Sequence, residues 1–142
     1  MATTLRNQSV PSRLNQPARL LIVDDEPLIR TSLAEFLEQD GFSVRMAADG
    51  QQALELAQSV PFDLVLTDIQ MPGMDGFEAI RRIRMDSSMA ATPVVALTAL
   101  AMPGDRQRCL EAGANEYISK PISLRYLADI IETEIQKTAA AQ

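Results

Sequence analysis

The chain has 142 residues, 46% of them hydrophobic and 23% charged, with a formal net charge of −6. That length suits one domain with one ordinary core, and the acidic balance excludes a nucleic-acid surface, which needs clustered Lys and Arg. A single cysteine, Cys109, rules out an internal disulfide, and the lack of any histidine rules out His-based zinc sites, Ser-His and Cys-His nucleophile pairs and a phosphohistidine donor role.

Residues 1–18 read as a flexible polar lead without periodicity and without a basic-then-apolar signal sequence. No later run reaches the roughly 18 consecutive apolar residues of a membrane span, so a cytoplasmic location without membrane contact is expected. Arg19–Val23 is a short apolar run, a buried-strand candidate. From Pro27 the residues Ile29, Leu33, Phe36 and Leu37 recur at helical spacing, with Gly41 as the stop.

The same unit then recurs. Phe42–Ala47 predicts a strand, and Asp49 caps a helix to about Ser59. Asp63–Thr67 predicts the third strand; after a turn at Pro72-Gly73, Phe77, Ile80 and Ile83 mark a third helix. Pro93–Leu97 predicts the fourth strand, followed by a weakly patterned helix over about 104–112 that ends at Gly113. Glu116–Ser119 predicts the fifth strand, and the last helix starts near Leu124 with Leu127, Ile131 and Ile135 on one face. Strands alternating with helices imply an α/β fold: a single flavodoxin-like (βα)5 doubly wound parallel sheet of order 2-1-3-4-5 over residues 19–137, with 138–142 as a tail.

In such a sheet, ligands sit at the carboxyl ends of the strands, where the order reverses. There the sequence puts Asp24, Asp25 and Glu26 after strand 1, Asp68 after strand 3, Thr98 after strand 4 and Lys120 after strand 5. Each residue alone has a plain structural role: a helix cap, a turn opener, a β-branched strand residue, a solvated lysine. Together, on adjacent strand ends, they point to chemistry. Two carboxylates about 4 Å apart repel by about 4 kcal/mol at an effective dielectric of about 20. Three of them stay ionised only with a cation, and oxygen-only ligands favour Mg²⁺. A metal and a lysine beside a free carboxylate suit transfer of a phosphoryl group onto that carboxylate.

The stretches LLIVDDE (20–26), DLVLTDIQMPGMDG (63–76), VVALTA (94–99) and GANEYISKP (113–121) together resemble the response-regulator receiver family of two-component signalling. The resemblance covers nearly everything outside the lead and implies a role for each matched residue. Asp68 is the expected phosphoacceptor. Asp24 and Asp25 form the expected Mg²⁺-holding pair, Asp25 more directly, with Asp68 and the backbone carbonyl of Gln70 completing the protein ligands. Lys120 is expected to pair with the phosphate and Thr98 to hydrogen-bond one of its oxygens. Tyr117 stands at the family's switch position, with its ring expected at the solvent and free to swing inward once Thr98 moves. The resemblance also implies a cis Lys120–Pro121 bond. Gln70 and Leu100 lie at positions that vary in the family and influence how long the phosphate lasts.

The function so implied is a phosphoacceptor in a His-to-Asp relay that assists its own phosphorylation and dephosphorylation but is not an enzyme in the usual sense. Its donor is expected to be a sensor histidine kinase or a histidine phosphotransfer protein. Its downstream partner is expected on the face of helix 4, strand 5 and helix 5, with no direct nucleic-acid binding. A haloacid-dehalogenase-type phosphatase needs a second Asp two residues after the nucleophile, where this chain has Gln70. A flavin or nucleotide binder needs a glycine loop after strand 1, where this chain has DDEPL. Two further readings are a receiver module belonging to a hybrid histidine kinase and a phosphate-independent interaction module; the latter usually lacks the acceptor Asp or the Lys, both present here. If the chain is complete, it acts by docking to partners or by relaying phosphate.

Overall fold

The structure is a computed structural model that describes residues 16–71, 75–98, 101–120 and 123–141, the side chains of 140 and 141 excepted. Most of the N-terminal lead, the Pro72-Gly73 turn, Leu100 and the Lys120–Pro121 bond lie outside the described residues.

Five strands, β1 (Arg19–Val23), β2 (Ser43–Ala47), β3 (Leu64–Asp68), β4 (Val94–Thr98) and β5 (Glu116–Ser119), form one parallel sheet of order β2-β1-β3-β4-β5. Helices α1 (Pro27–Gln39), α2 (Gly50–Ser59), α3 (Gly76–Met85), α4 (Asp105–Ala112) and α5 (Leu124–Ala141) connect and follow them. Because strand side chains alternate, the sheet feeds two separate apolar layers. Leu20, Ile22, Leu64, Leu66, Val95, Leu97 and Ile118 pack with α1 and α5 through Leu33, Leu37, Leu127 and Ile131. Leu21, Val23, Val65, Val94, Ala96 and Tyr117 pack with α2, α3 and α4 through Leu54, Ile80, Ile83 and Cys109.

Three strands start one residue later than their apolar patterns predict, each for a local reason. Phe42 donates its N–H to Leu37 O at 3.1 Å, so it belongs to the end of α1. Asp63 still donates its N–H to Arg19 O at 2.8 Å, but its side-chain Oδ2, rather than its carbonyl, accepts from Arg19 N at 2.7 Å, so the regular ladder begins at Leu64. Pro93 has no N–H to give to a ladder; only its carbonyl is used, by Val65 N at 2.9 Å. At the other end of the chain, α5 continues to Ala141 rather than giving way to a tail at 138. The segment Thr138-Ala139-Ala140-Ala141 is rich in the residue with the highest helix propensity.

Two glycines are required by their surroundings. Gly113 ends α4 at φ 119, a left-handed position. Over it lies Arg84 from the end of α3, whose Nε donates to Gly113 O at 2.8 Å and whose Nη1 donates to Thr92 O. This arginine ties the α3–β4 connection to the end of α4, at the edge of the sheet away from the strand carboxyl ends. Gly76 opens α3 and packs directly on the chain leaving β3. Its N–H donates to Ile69 O at 3.0 Å. A Cβ added there would stand 2.2 Å from Ile69 Cα and 2.7 Å from Asp68 O. Both atoms are backbone, so nothing flexible can yield. Gly76→Ala is therefore expected to cost about 1–3 kcal/mol by urea unfolding; wild-type stability would contradict this close approach.

Candidate functional site

The carboxyl ends of β1, β3, β4 and β5 meet at one edge. Register pairs Val23 with Thr67, Asp68 with Leu97 and Thr98 with Ser119. The residues that follow or close these strands are thus neighbours although distant in sequence. Asp24, Asp25 and Asp68 each offer a carboxylate oxygen, and these oxygens all lie within 4.8 Å of one another. Lys120 reaches the same point: its N–H donates to Thr98 O at 2.7 Å, and its Nζ stands 3.3 Å from Asp24 Oδ2. The ammonium is well covered, with 17% of its side chain exposed, and Asp24 is covered further, at 3%.

The two aspartates of the β1–α1 turn differ in kind. Every polar atom of Asp24 is engaged. Its N–H donates to Ala47 O at 3.2 Å, its carbonyl accepts from Arg30 Nη1 at 2.8 Å, and its Oδ1 accepts from Glu26 N at 2.9 Å. Oδ2 faces Lys120. Asp25 is half-buried and makes no hydrogen bond or ion pair among the described residues. Both its oxygens keep all of their lone pairs. Neither residue caps α1 in the ordinary way; Glu26 occupies the cap position without a side-chain bond, and Pro27 begins the helix.

Asp68 is half-buried at the end of β3, and its Oδ1 accepts from Gln70 N at 3.1 Å, which fixes the plane of the carboxylate. Thr67 Oγ1 donates to Asp68 O at 2.9 Å and steadies the chain beside it. Burial, aided by the negative charge of Asp24, holds the Asp68 carboxyl above its ordinary value, against the opposing pull of the Gln70 N–H, Lys120 and the Ile69 N–H. A carboxyl group raised in this way sits beside two others with one lysine to balance them. The donor set is all oxygen, strongly anionic and short of positive charge, which suits a hard divalent cation.

Thr98 is fully buried at the end of β4. It shares the parity of Val94 and Ala96, and Tyr117 pairs with Ala96 in register, so both residues face the α4 side of the sheet. The Tyr117 ring is not at the solvent, as the sequence reading expects, but inside at 9% exposure. Its strand parity drives it there, into the layer that also holds Cys109 of α4. Among the described residues its buried hydroxyl makes no hydrogen bond by strict geometry. Cys109 takes no part in the chemistry: burial pushes its thiol up to about 11, far from a reactive thiolate.

Three residues of consequence escape sequence reading. Arg30, Gly76 and Arg84 act through backbone contacts made by tertiary folding. For Gly76 a local signal exists, since Asp75 caps the helix that starts there and accepts from Glu78 N at 2.8 Å. For the arginines, only their place on amphipathic helices is visible.

The chain matches the response regulator receiver domain over residues 20–132. It is 39% identical over 136 residues to the sensor histidine kinase GacS of Pseudomonas protegens, covering 92% of this chain and 15% of that protein. It is 37% identical over 127 residues to the response regulator Rre1 of Synechocystis, covering 89% of this chain and 55% of that protein. The chain thus spans a minor part of the first and about half of the second. Among solved structures, the receiver domain of sensor histidine kinase PA1611 from Pseudomonas aeruginosa superposes with TM-score 0.79 at 37% identity, covering 84% of this chain and 98% of that one. That structure holds a magnesium ion in its active-site cleft.

The raised carboxyl of Asp68 has a consequence for stability in metal-free solution. A group whose folded pKa is raised favours folding while it is neutral and loses that contribution as pH rises through the folded value. Ionised Asp68 is therefore a burden at neutral pH. Asp68→Asn is expected to melt a few degrees higher than wild type at pH 7 without metal, and level with it below about pH 4, where both carry a neutral group. A variant melting at or below wild type at pH 7 would contradict the charge imbalance.

Proposed function

This chain belongs to the response regulator receiver family, and on that premise we propose that it accepts a phosphoryl group on Asp68 in a cytoplasmic His-to-Asp relay. Asp24, Asp25, Asp68 and the backbone carbonyl of Gln70 would hold Mg²⁺. The observation that carries this reading is the cluster of three carboxylates within 4.8 Å, with Lys120 3.3 Å from one of them. The Mg²⁺ in the cleft of the PA1611 receiver supports the metal. When bound, Mg²⁺ supplies positive charge to the oxygens of the transferring group.

The protein's own groups do the rest. The Gln70 N–H orients the Asp68 carboxylate toward the incoming phosphorus. An Asp68 oxygen forms the new bond as the bond from phosphorus to the donor group breaks, and the donor leaves with that electron pair. Lys120 is placed to shift its ammonium from Asp24 toward a phosphate oxygen. Thr98, on the next strand end, has a hydroxyl to donate to another. Receiver domains are signalling modules rather than classical enzymes, and the output here is a change of surface. A phosphoryl group adds about −1.5 to −2 charges and new acceptor oxygens. Drawing Thr98 toward them would firm the inward position of Tyr117 and shift α4, which is held by few apolar contacts, Cys109 and Ala112 being its buried apolar residues. The face of α4, β5 and α5 would then engage a protein partner. Exposed Leu110 on α4 and Tyr126 on α5 provide apolar surface there. The kinship with the kinase GacS supports a histidine kinase or phosphotransfer protein as donor.

Acetyl phosphate with Mg²⁺ is expected to add one phosphoryl group by intact mass. Asp68→Asn should accept none, and Asp25→Ala or a chelator should slow the reaction by roughly tenfold or more. An equal mass gain in Asp68→Asn would overturn the assignment. For the switch, a beryllium-fluoride phosphate mimic is expected to change amide hydrogen exchange from the end of β4 through β5. Changes limited to the loops after β1 and β3 would show that the Thr98–Tyr117 relay does not operate.

A further inference from the structure

We propose that Arg30 is a positioning residue for the acidic site: its guanidinium holds the β1–α1 turn in the shape that presents Asp25 to a cation. The inference deepens the reading of the site given above and rests on it.

What holds Asp25 in place lies outside its own side chain. Its own carboxylate is tied to nothing among the described residues. Its position therefore depends on the two residues that flank it. Both are anchored by Arg30. The guanidinium Nη1 donates to Asp24 O at 2.8 Å, and the Arg30 backbone N–H donates to Glu26 O at 3.0 Å. The Glu26 N–H closes the turn by donating to Asp24 Oδ1 at 2.9 Å. The Arg30 side chain thus grips the carbonyl before Asp25, while the ordinary first helical bond from its backbone N–H, which any residue there would make, holds the carbonyl after it. Little else does so on the helix side, because Glu26 gives no side-chain cap and Pro27 contributes no N–H.

The chemistry of the side chain fits this role. A planar guanidinium with several directed donors fixes a carbonyl; a lysine ammonium on a flexible stem holds it less well. Arg30 makes no ion pair with the neighbouring carboxylates among the described residues, so its contact with the site is through the backbone. This separates two effects by sign. If Arg30 mattered only as a positive charge near three carboxylates, removing it would tighten Mg²⁺ binding. If it positions Asp25, removing it weakens binding although a repelling charge is gone.

Isothermal calorimetry with Mg²⁺ and amide hydrogen exchange on the metal-free full chain test this together. In Arg30→Ala, the amides of residues 24–26 should exchange faster without metal, and the Mg²⁺ dissociation constant should rise roughly tenfold. Arg30→Lys, which keeps the charge, should restore affinity only in part; it also serves should Arg30→Ala fail to fold. Unchanged or tighter Mg²⁺ binding in Arg30→Ala, or full wild-type affinity in Arg30→Lys, would overturn the proposal. Wild type that binds no Mg²⁺ would instead overturn the reading of the site, and the metal-free exchange of residues 24–26 would still decide the role of Arg30.

Discussion

Three carboxylates packed at one sheet edge repel one another, and much of the surrounding structure exists to hold them there. The fold forces the encounter. A parallel sheet of order β2-β1-β3-β4-β5 brings the ends of β1 and β3 together by backbone pairing, whatever the charges they carry. Apolar burial on both faces of the sheet provides the driving force. The repulsion is then only partly relieved: Lys120 balances Asp24, backbone N–H groups satisfy one oxygen each on Asp24 and Asp68, and Asp25 is left with none. The result is a cluster of three carboxylates with one lysine to balance them, a donor set that suits a divalent cation.

The same layout separates a rigid part from a yielding one. At the edge away from the site, Arg84 binds the end of α4 to the α3–β4 connection through Gly113 and Thr92. At the site edge, α4 begins at Gly104 in the left-handed region, with Asp105 Oδ2 accepting from Met102 N at 2.9 Å. Helix α4 is therefore fastened firmly at its end and by local contacts at its start. Tyr117 lies beneath it, in the same apolar layer as Cys109. A small shift of Thr98 has a short path to that ring and that helix, which is where a binding surface is expected to change.

Much of this is legible in the sequence because it rests on periodicity and on strand ends. Alternation of short apolar runs with helical patterns was enough for the sheet order, and the reversal point located Asp24, Asp25, Asp68, Thr98 and Lys120. What was not legible depends on contacts across long stretches of chain. Strand starts slipped by one where Phe42, Asp63 and Pro93 are apolar or strand-like in pattern yet committed elsewhere. Tyr117 could face either side of a four-residue strand on pattern alone, and its pairing with Ala96 puts it on the inner side, against α4. Arg30 and Arg84 look like solvated helix positions until the carbonyls they bind are seen.

The central claim is that one preformed acidic site, and not the acidic surface at large, takes the cation. Titrating the ¹⁵N-labelled metal-free chain with Mg²⁺ and following its amide resonances tests this most directly. The account predicts one saturating transition shared by residues 24–26, 68–70, 98 and 120, with Glu55, Glu78 and Asp86 on the outer face unmoved. Shifts that fail to saturate, or that spread over those outer acids as much as over the strand ends, would contradict it.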